Sequence, residues 1–369
     1  MMNKLLITRA NFKVVCSSPN EYYFFDKEGV SFKLKAQTAD EAYRLCAALI
    51  TGLPVSNELS DSFELHGFSL QSLQASQALL KHGVLEIIDN LPDFTDRLNH
   101  EFRREIEYFS DTANIGTSGS ECFERVRQSN ILMIGMGSLG SWVFQHLCAN
   151  GVGKIVMVDG DVVELSNLPR QSLFDHQHLA KSKVDSAAEI ATRQFPHTTI
   201  SPIHQFVESI NDIIYLIAKY GKFDLMVLTA DFPRWEIARW AASAAKSTGT
   251  PLIRGTSQGI GPLFLPGQSA CPYCEWAWFH EKEPNAQRVA SLTAQLPRRS
   301  TGALSTIVSM SGALLAMQSL TYLSRVSLPE TINHQLIIKL GGLEISKVPY
   351  SKHEMCMACA EPYTEFVGN

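Results

Sequence analysis

The pattern of apolar and polar residues changes character once along the chain. Up to about residue 92 the apolar runs are short: Leu5–Ile7, Phe12–Cys16, Tyr22–Phe25 and Val30–Leu34, with Ser18-Pro19-Asn20 and Lys27-Glu28-Gly29 between them. Short runs bounded by Gly, Pro, Asn and Ser predict strands joined by turns. Thr38 and Glu41 stand three residues apart, a capping-box spacing that predicts a helix running to about Ile50 and stopping near Gly52-Leu53-Pro54. A second helix is predicted from Leu70 to Lys81, with Leu70, Leu73 and Leu80 on one face and Gln77 interrupting it, followed by a strand over Val84–Ile88. Strands, two helices and a closing strand predict a small winged-helix-like α+β domain over residues 1–92. Residues 93–130 are polar, with Arg97, Arg103 and Arg104, and predict a linker and a helix. From Ile131 the pattern alternates. Strands are expected at 131–134, 154–159, 199–203, 224–229 and 251–254, with helices between them. That is the α/β signature of a Rossmann-like, doubly wound sheet, so residues 93–369 are expected to form the second domain.

Composition narrows the classes. At 369 residues the chain is long enough for two domains, and a net charge of −5 argues against a general nucleic-acid or anionic-membrane binder. Met1–Val15 carries Lys4, Arg9 and Lys13 among short apolar runs and has no apolar h-region, so no signal peptide is expected, and the chain reads as cytoplasmic. Gly302–Leu323 has no charged residue, but serines, alanines and Gln318 dilute it, and a buried core helix is expected there. Cys16, Cys46, Cys122 and Cys148 are scattered and read as free thiols of a reducing compartment, Cys148 on a core-facing helix side.

Candidate chemistry begins after the first strand of the second domain. Gly135-Met136-Gly137-Ser138-Leu139-Gly140 is a G-x-G-x-x-G loop opening a helix, and Asp159 ends the next strand. Glycines let a backbone approach phosphate, the helix start favours anions, and the acid suits ribose hydroxyls. The alternative is a tight packing turn. Beyond Asp159 and Asp161, Asn167, Arg170 and Gln171 lie close enough in sequence to clamp triphosphate oxygens, and Lys183 opens the next helix within reach of an α-phosphate. Asp231, just past the 224–229 strand, suits Mg²⁺. Each has a plainer alternative: Arg170 and Lys183 as solvated cations, Asp231 as a helix cap. Cys271-Pro272-Tyr273-Cys274 and Cys356-Met357-Ala358-Cys359 form two C-x-x-C pairs, the ligand set of a closed structural zinc site, with a redox motif as the alternative.

These motifs, in this order, resemble the ThiF/MoeB adenylating enzymes, relatives of the ubiquitin-activating enzymes. The matching residues are the glycine loop, Asp159-Gly160-Asp161, Ser166-Asn167-Leu168-Pro169-Arg170-Gln171, Lys183, Thr229-Ala230-Asp231 and both cysteine pairs. The resemblance implies that ATP and a carboxylate give an acyl-adenylate and pyrophosphate. It assigns the phosphates to the glycine loop, the ribose to Asp159, phosphate contacts to Asn167, Arg170 and Lys183, and Mg²⁺ to Asp231. It also implies a homodimer in which Arg104, in Phe102-Arg103-Arg104-Glu105-Ile106, reaches the partner's site. Here the chain departs from the family pattern at Glu101 and Glu105, and Ser138 replaces a glycine of the usual loop. No cysteine outside the zinc pairs suits thioester transfer. The N-terminal domain resembles the leader-recognition element of enzymes that modify ribosomally made peptides. Gly261-Pro262-Leu263-Phe264-Leu265-Pro266-Gly267 resembles the microcin C adenylating enzymes, and the fusion at this size resembles the pantocin A branch. That branch implies adenylation of a precursor peptide's carboxylate, a glutamate side chain in the pantocin case, driving cyclisation. Activation of a ubiquitin-like sulfur carrier, a nicotinamide dehydrogenase and a non-catalytic leader-binding scaffold remain the alternatives.

Overall fold

A computed structural model describes residues 4–9, 12–26, 29, 31–56, 58–88, 97–113, 117–233, 235–283, 285–286, 288, 302–339 and 344–360. It divides into two compact units, Met1–Glu124 and Arg125–Asn369.

In the first unit β1 (Lys4–Thr8) is central in an antiparallel sheet between β5 (Leu53–Val55) and β6 (Leu85–Ile88). A separate meander joins β2 (Lys13–Ser18), β3 (Glu21–Phe25) and β4 (Ser31–Lys35), which leaves β4 on an edge. Three helices pack against these strands: α1 (Ala39–Thr51), α2 (Leu59–Leu65) and α3 (Leu70–Lys81). Thr38 Oγ1 accepts from Glu41 N, as its spacing predicts, while the Glu41 carboxylate reaches α3, accepting from Ser69 N at 2.6 Å and Ser72 Oγ at 2.8 Å. Leu6, Phe24, Leu34, Leu45, Leu49, Phe63 and Leu79 form the core.

Three details differ from the sequence expectation. Leu53-Pro54-Val55, expected to be only a helix stop, is strand β5, and its proline is tolerated because β5 is an edge strand. Helix α2 was not expected. On α3 it is Leu73, Ser76 and Leu79 that turn inward, while Leu70 is 68% exposed. The polar stretch holds α4 (Arg97–Glu101), α5 (Arg103–Thr112) and α6 (Gly119–Gln128). The Arg9 guanidinium donates to the Ala113 carbonyl, and Phe102 and Phe123 meet at 4.9 Å. By compactness, the residues up to Glu124 group with the first unit.

The second unit is built on β7 (Asn130–Ile134), β8 (Lys154–Val158), β9 (Thr199–Ile203), β10 (Leu225–Leu228) and β11 (Leu252–Gly255), all parallel. Antiparallel β12 (Gly259–Phe264), β13 (His334–Lys339) and β14 (Glu344–Pro349) extend it, giving the order β14-β13-β12-β11-β10-β7-β8-β9. The crossovers are α7 (Ser138–Ala149), α8 (Lys183–Gln194), α9 (Ile210–Tyr220) and α10 (Glu236–Thr248). Ile131–Met133 and Leu225–Leu228 have no exposure, because a parallel sheet is covered on both faces. From β7 the chain steps outward to β8 and β9, then returns to β10 on the other side of β7. The strand order therefore reverses between β7 and β10, and in open α/β sheets ligands bind at the carboxyl ends of the strands at such a switch point. The Ser305–Ser324 helix is long and apolar enough to cross a membrane, but it packs on α7 with Val308, Ser311, Gly312, Leu315 and Ala316 buried. Cys148, on α7, is fully buried.

Candidate active site and four-cysteine cluster

The glycine loop is fixed against the turn that follows β10. Thr229 N and Ala230 N both donate to Ile134 O, and Thr229 Oγ1 donates to Gly135 O at 2.7 Å. Gly135 has φ 102°, and a Cβ there would come within 2.5 Å of Ala230 N. A Cβ on Gly140 would collide with the Gly135 carbonyl and lie 2.8 Å from Thr229 Oγ1. Gly137 is different: a Cβ there meets open space. Two glycines thus allow close packing, and the third keeps the crevice side bare. Helix α7 starts at Ser138 with no side chain capping it, so its first N–H groups remain available to an anion.

The acid after β8 braces the loop. Asp159 accepts from Met136 N at 2.6 Å and from Asp161 N at 2.8 Å, one bond to each oxygen. Lys183, 5% exposed at the start of α8, donates through Nζ to Asp161 Oδ2 at 2.8 Å. Asp161 is thus the counterion that keeps a nearly buried ammonium paired.

The segment after Asp161 is more self-contained than its sequence suggests. Asn167 Oδ1 accepts from Glu164 N at 3.1 Å within a single 3-10 turn, and Arg170 donates to the Ser166 carbonyl. Gln171 is 2% exposed, and its Oε1 is buried without a partner. Only its amide N–H groups are chemically suited to phosphate oxygen. Asp231 is exposed, just beyond the Thr229–Ala230 lock. It is not the cap of α10, which begins at Glu236 after Trp235. In the first unit Arg104 lies on α5 with its side chain 87% exposed and donates to Glu107 Oε2 at 2.9 Å.

The four expected zinc ligands converge. Cys271, Cys274, Cys356 and Cys359 are buried, and their sulfurs lie within 4.8 Å of one another. The pairs 271–274, 271–356 and 274–359 are 3.7, 3.6 and 3.5 Å apart. A tetrahedral zinc with Zn–S bonds of about 2.3 Å requires sulfurs about 3.8 Å apart, so the donor set fits the ion. Burial pushes the Cys271 thiol up, a penalty that a divalent cation would remove. Around the cluster Tyr350 OH donates to Pro272 O at 2.9 Å, Trp278 Nε1 donates to Ser351 O at 3.0 Å, and His353 Nε2 lies 2.9 Å from Glu281 Oε2. The cluster joins α11 (Cys274–Lys282) to the residues after β14.

A family model described as "ThiF family" matches residues 109–358. The chain belongs to the ThiF family. Among curated relatives, the molybdopterin-synthase adenylyltransferase of Escherichia coli K12 is 36% identical over 97 residues, 26% of this chain and 39% of that protein. The chain therefore aligns with well under two thirds of that relative. Among solved structures, E. coli MccB with ATP superposes with a TM-score of 0.70 at 17% identity, covering 96% of this chain and all of MccB. PaaA superposes with a TM-score of 0.69 at 18% identity, covering 93% of this chain and 99% of PaaA. At these identities the likeness is one of fold.

Two features of this ThiF-family site had no local sequence signal. Phe206, after β9, lies over Gly160 in the loop beside Asp159. Trp235, after the Asp231 loop, stacks on Trp276 of α11 with ring centroids 4.4 Å apart and planes at 23°. Both depend on which loops the sheet order brings together.

Proposed function

We propose that this chain uses ATP to adenylate a carboxylate of a ribosomally made precursor peptide, a glutamate side chain in the pantocin manner, so that the peptide cyclises. The observation that carries the reading is the Lys183–Asp161 pair beside the uncapped start of α7, in a chain of the ThiF family. In this reading the carboxylate oxygen attacks the α-phosphorus, the α–β bridging bond breaks, and pyrophosphate leaves. Lys183 exchanges Asp161 for phosphate, so the buried ammonium stays paired throughout. Arg170 adds a second cation. Asp231 fits Mg²⁺, which is commonly held by one or two carboxylates and by substrate phosphates. Lys183, Arg170 and the ion together offset the repulsion between carboxylate and triphosphate.

No thioester step is included. Of the four cysteines outside the cluster, Cys46, Cys122 and Cys148 are at most 3% exposed, and burial pushes the Cys46 thiol up to about 12, while the exposed Cys16 lies on β2 of the first unit with its Sγ donating to Ser18 O. The adenylate is instead captured within the peptide. The leader binds the first unit along the β4 edge, adding a strand, with α3 as the facing wall. A tethered leader raises the local concentration of the core at the active site. The enzyme works as a cytoplasmic homodimer with Arg104 acting across the interface. Support for a peptide substrate comes from the fold shared with MccB, which is described as a microcin C7 biosynthetic enzyme and was solved with N-formylated MccA. A sulfur carrier is the second reading, favoured by a relative described as the sulfur carrier protein ThiS adenylyltransferase of E. coli K12, 27% identical over 214 residues.

ATP–pyrophosphate exchange separates the readings. A precursor with a glutamate-bearing core should support exchange, and the same peptide without its leader should lose most of it. Exchange driven instead by a carrier ending in Gly-Gly would replace the peptide reading with the second one.

A further inference from the structure

The ATP reading leaves the purine base without a partner, and we propose that Phe206 is its stacking platform. The carboxyl ends of β7, β8 and β9 stand side by side in the sheet, with neighbouring strands about 4.8 Å apart. A nucleotide whose phosphates lie at the glycine loop after β7 and whose ribose lies at Asp159 after β8 extends its base to the end of β9. Strand β9 ends at Ile203, and the chain continues through His204 and Gln205 to Phe206. Two hydrogen bonds tie this loop to the ribose loop. Asp159 N donates to Ile203 O at 3.3 Å, and His204 Nε2 lies 3.0 Å from Gly160 O.

Phe206 uses that alignment. A Cβ on Gly160 would come 2.6 Å from Cδ2, 2.6 Å from Cγ and 2.8 Å from Cδ1 of the ring. The phenyl group therefore rests on the backbone directly after the ribose acid, and only glycine at position 160 permits it. The next residue, Val207, is 9% exposed and anchors the loop in the core. Phe206 itself remains 57% exposed. A ring kept only for packing would be expected to bury more of its surface. A ring held on one side by a peptide and open on the other offers a flat apolar surface that a purine covers by stacking.

The test is equilibrium binding to the full-length protein with Mg²⁺ present, using two probes. ATP carries a base, and inorganic tripolyphosphate has the phosphates alone. Phe206→Ala should weaken ATP binding about 10-fold or more, the scale of losing one base–aromatic contact. It should leave tripolyphosphate binding unchanged, and Phe206→Trp should restore ATP binding. Gly160→Ala, which displaces the ring without removing it, should fall between wild type and Phe206→Ala for ATP only. Equal loss of both probes in Phe206→Ala would make the ring a structural prop and overturn the proposal. Unchanged ATP binding would overturn it too. Wild-type protein that binds neither probe would instead bring down the ATP reading, and this inference with it.

Discussion

The nucleotide crevice and the four-cysteine cluster are both built to hold charge, yet they are wired in opposite ways. In the crevice the charged and polar groups already have internal partners: Lys183 has Asp161, Arg170 has the Ser166 carbonyl, Asn167 has Glu164 N, and Asp159 has two backbone N–H groups. In the cluster four buried sulfurs face mainly one another. Internal pairing keeps a nearly buried ammonium such as that of Lys183 from standing alone, whereas four sulfurs crowded together suit one shared cation.

The largest effect should come from breaking the cysteine cluster. Metal analysis should find one zinc per chain. Removing it with a chelator, or making Cys271→Ser, should open α11 and the residues after β14 to hydrogen exchange. Isolated zinc-finger peptides gain on the order of 10 kcal/mol from the ion, so unchanged protection would contradict a structural zinc. Next come the exchange-cycle groups. Lys183→Ala and Asp231→Ala should each lower ATP–pyrophosphate exchange at least about 10²-fold, the scale of one lost transition-state contact. Near-normal rates in both would remove them from the mechanism. Gly140→Ala should reduce thermal stability by about 1–3 kcal/mol, an overpacking penalty, because its methyl group meets the Gly135 carbonyl. The loop should lose ATP affinity at the same time, as read by calorimetry and titration. The smallest effect should be that of Asp161→Asn. Asp161 is 47% exposed, and an asparagine there still offers Lys183 Nζ a carbonyl acceptor, so the nearly buried ammonium keeps a hydrogen bond and the cost is about 1 kcal/mol. Loss of exchange as severe as in Lys183→Ala would mean that Asp161 itself handles the nucleotide.

What the sequence made legible is what local spacing encodes. The glycine loop, Asp159, Lys183 and the cysteine pairs are short-range patterns whose geometry follows from a strand-to-turn-to-helix path or from a knuckle. The sheet order that brings Thr229 against Gly135 was anticipated only as a class. The antiparallel extension β12–β14 was not foreseen, since nothing in its residues fixes which edge it joins. The side-chain chemistry of Asn167 and Gln171 suits a ligand, but that Asn167 sits in a 3-10 turn and Gln171 is buried depends on backbone geometry that composition does not carry. Leu70 shows the same limit: helical spacing names a face, but only packing decides which residues of that face are covered.

The stacked indoles of Trp235 and Trp276 have an optical consequence. At 4.4 Å and 23° the two chromophores share their electronic excitation, which should appear as a paired band of opposite sign in the ultraviolet circular dichroism. One ring belongs to the loop carrying Asp231, and the other to the helix that the cysteine ligand Cys274 begins. The chain therefore carries an unlabelled gauge of whether the helix that opens at Cys274 and the loop that carries Asp231 remain in register, readable before any substrate is known.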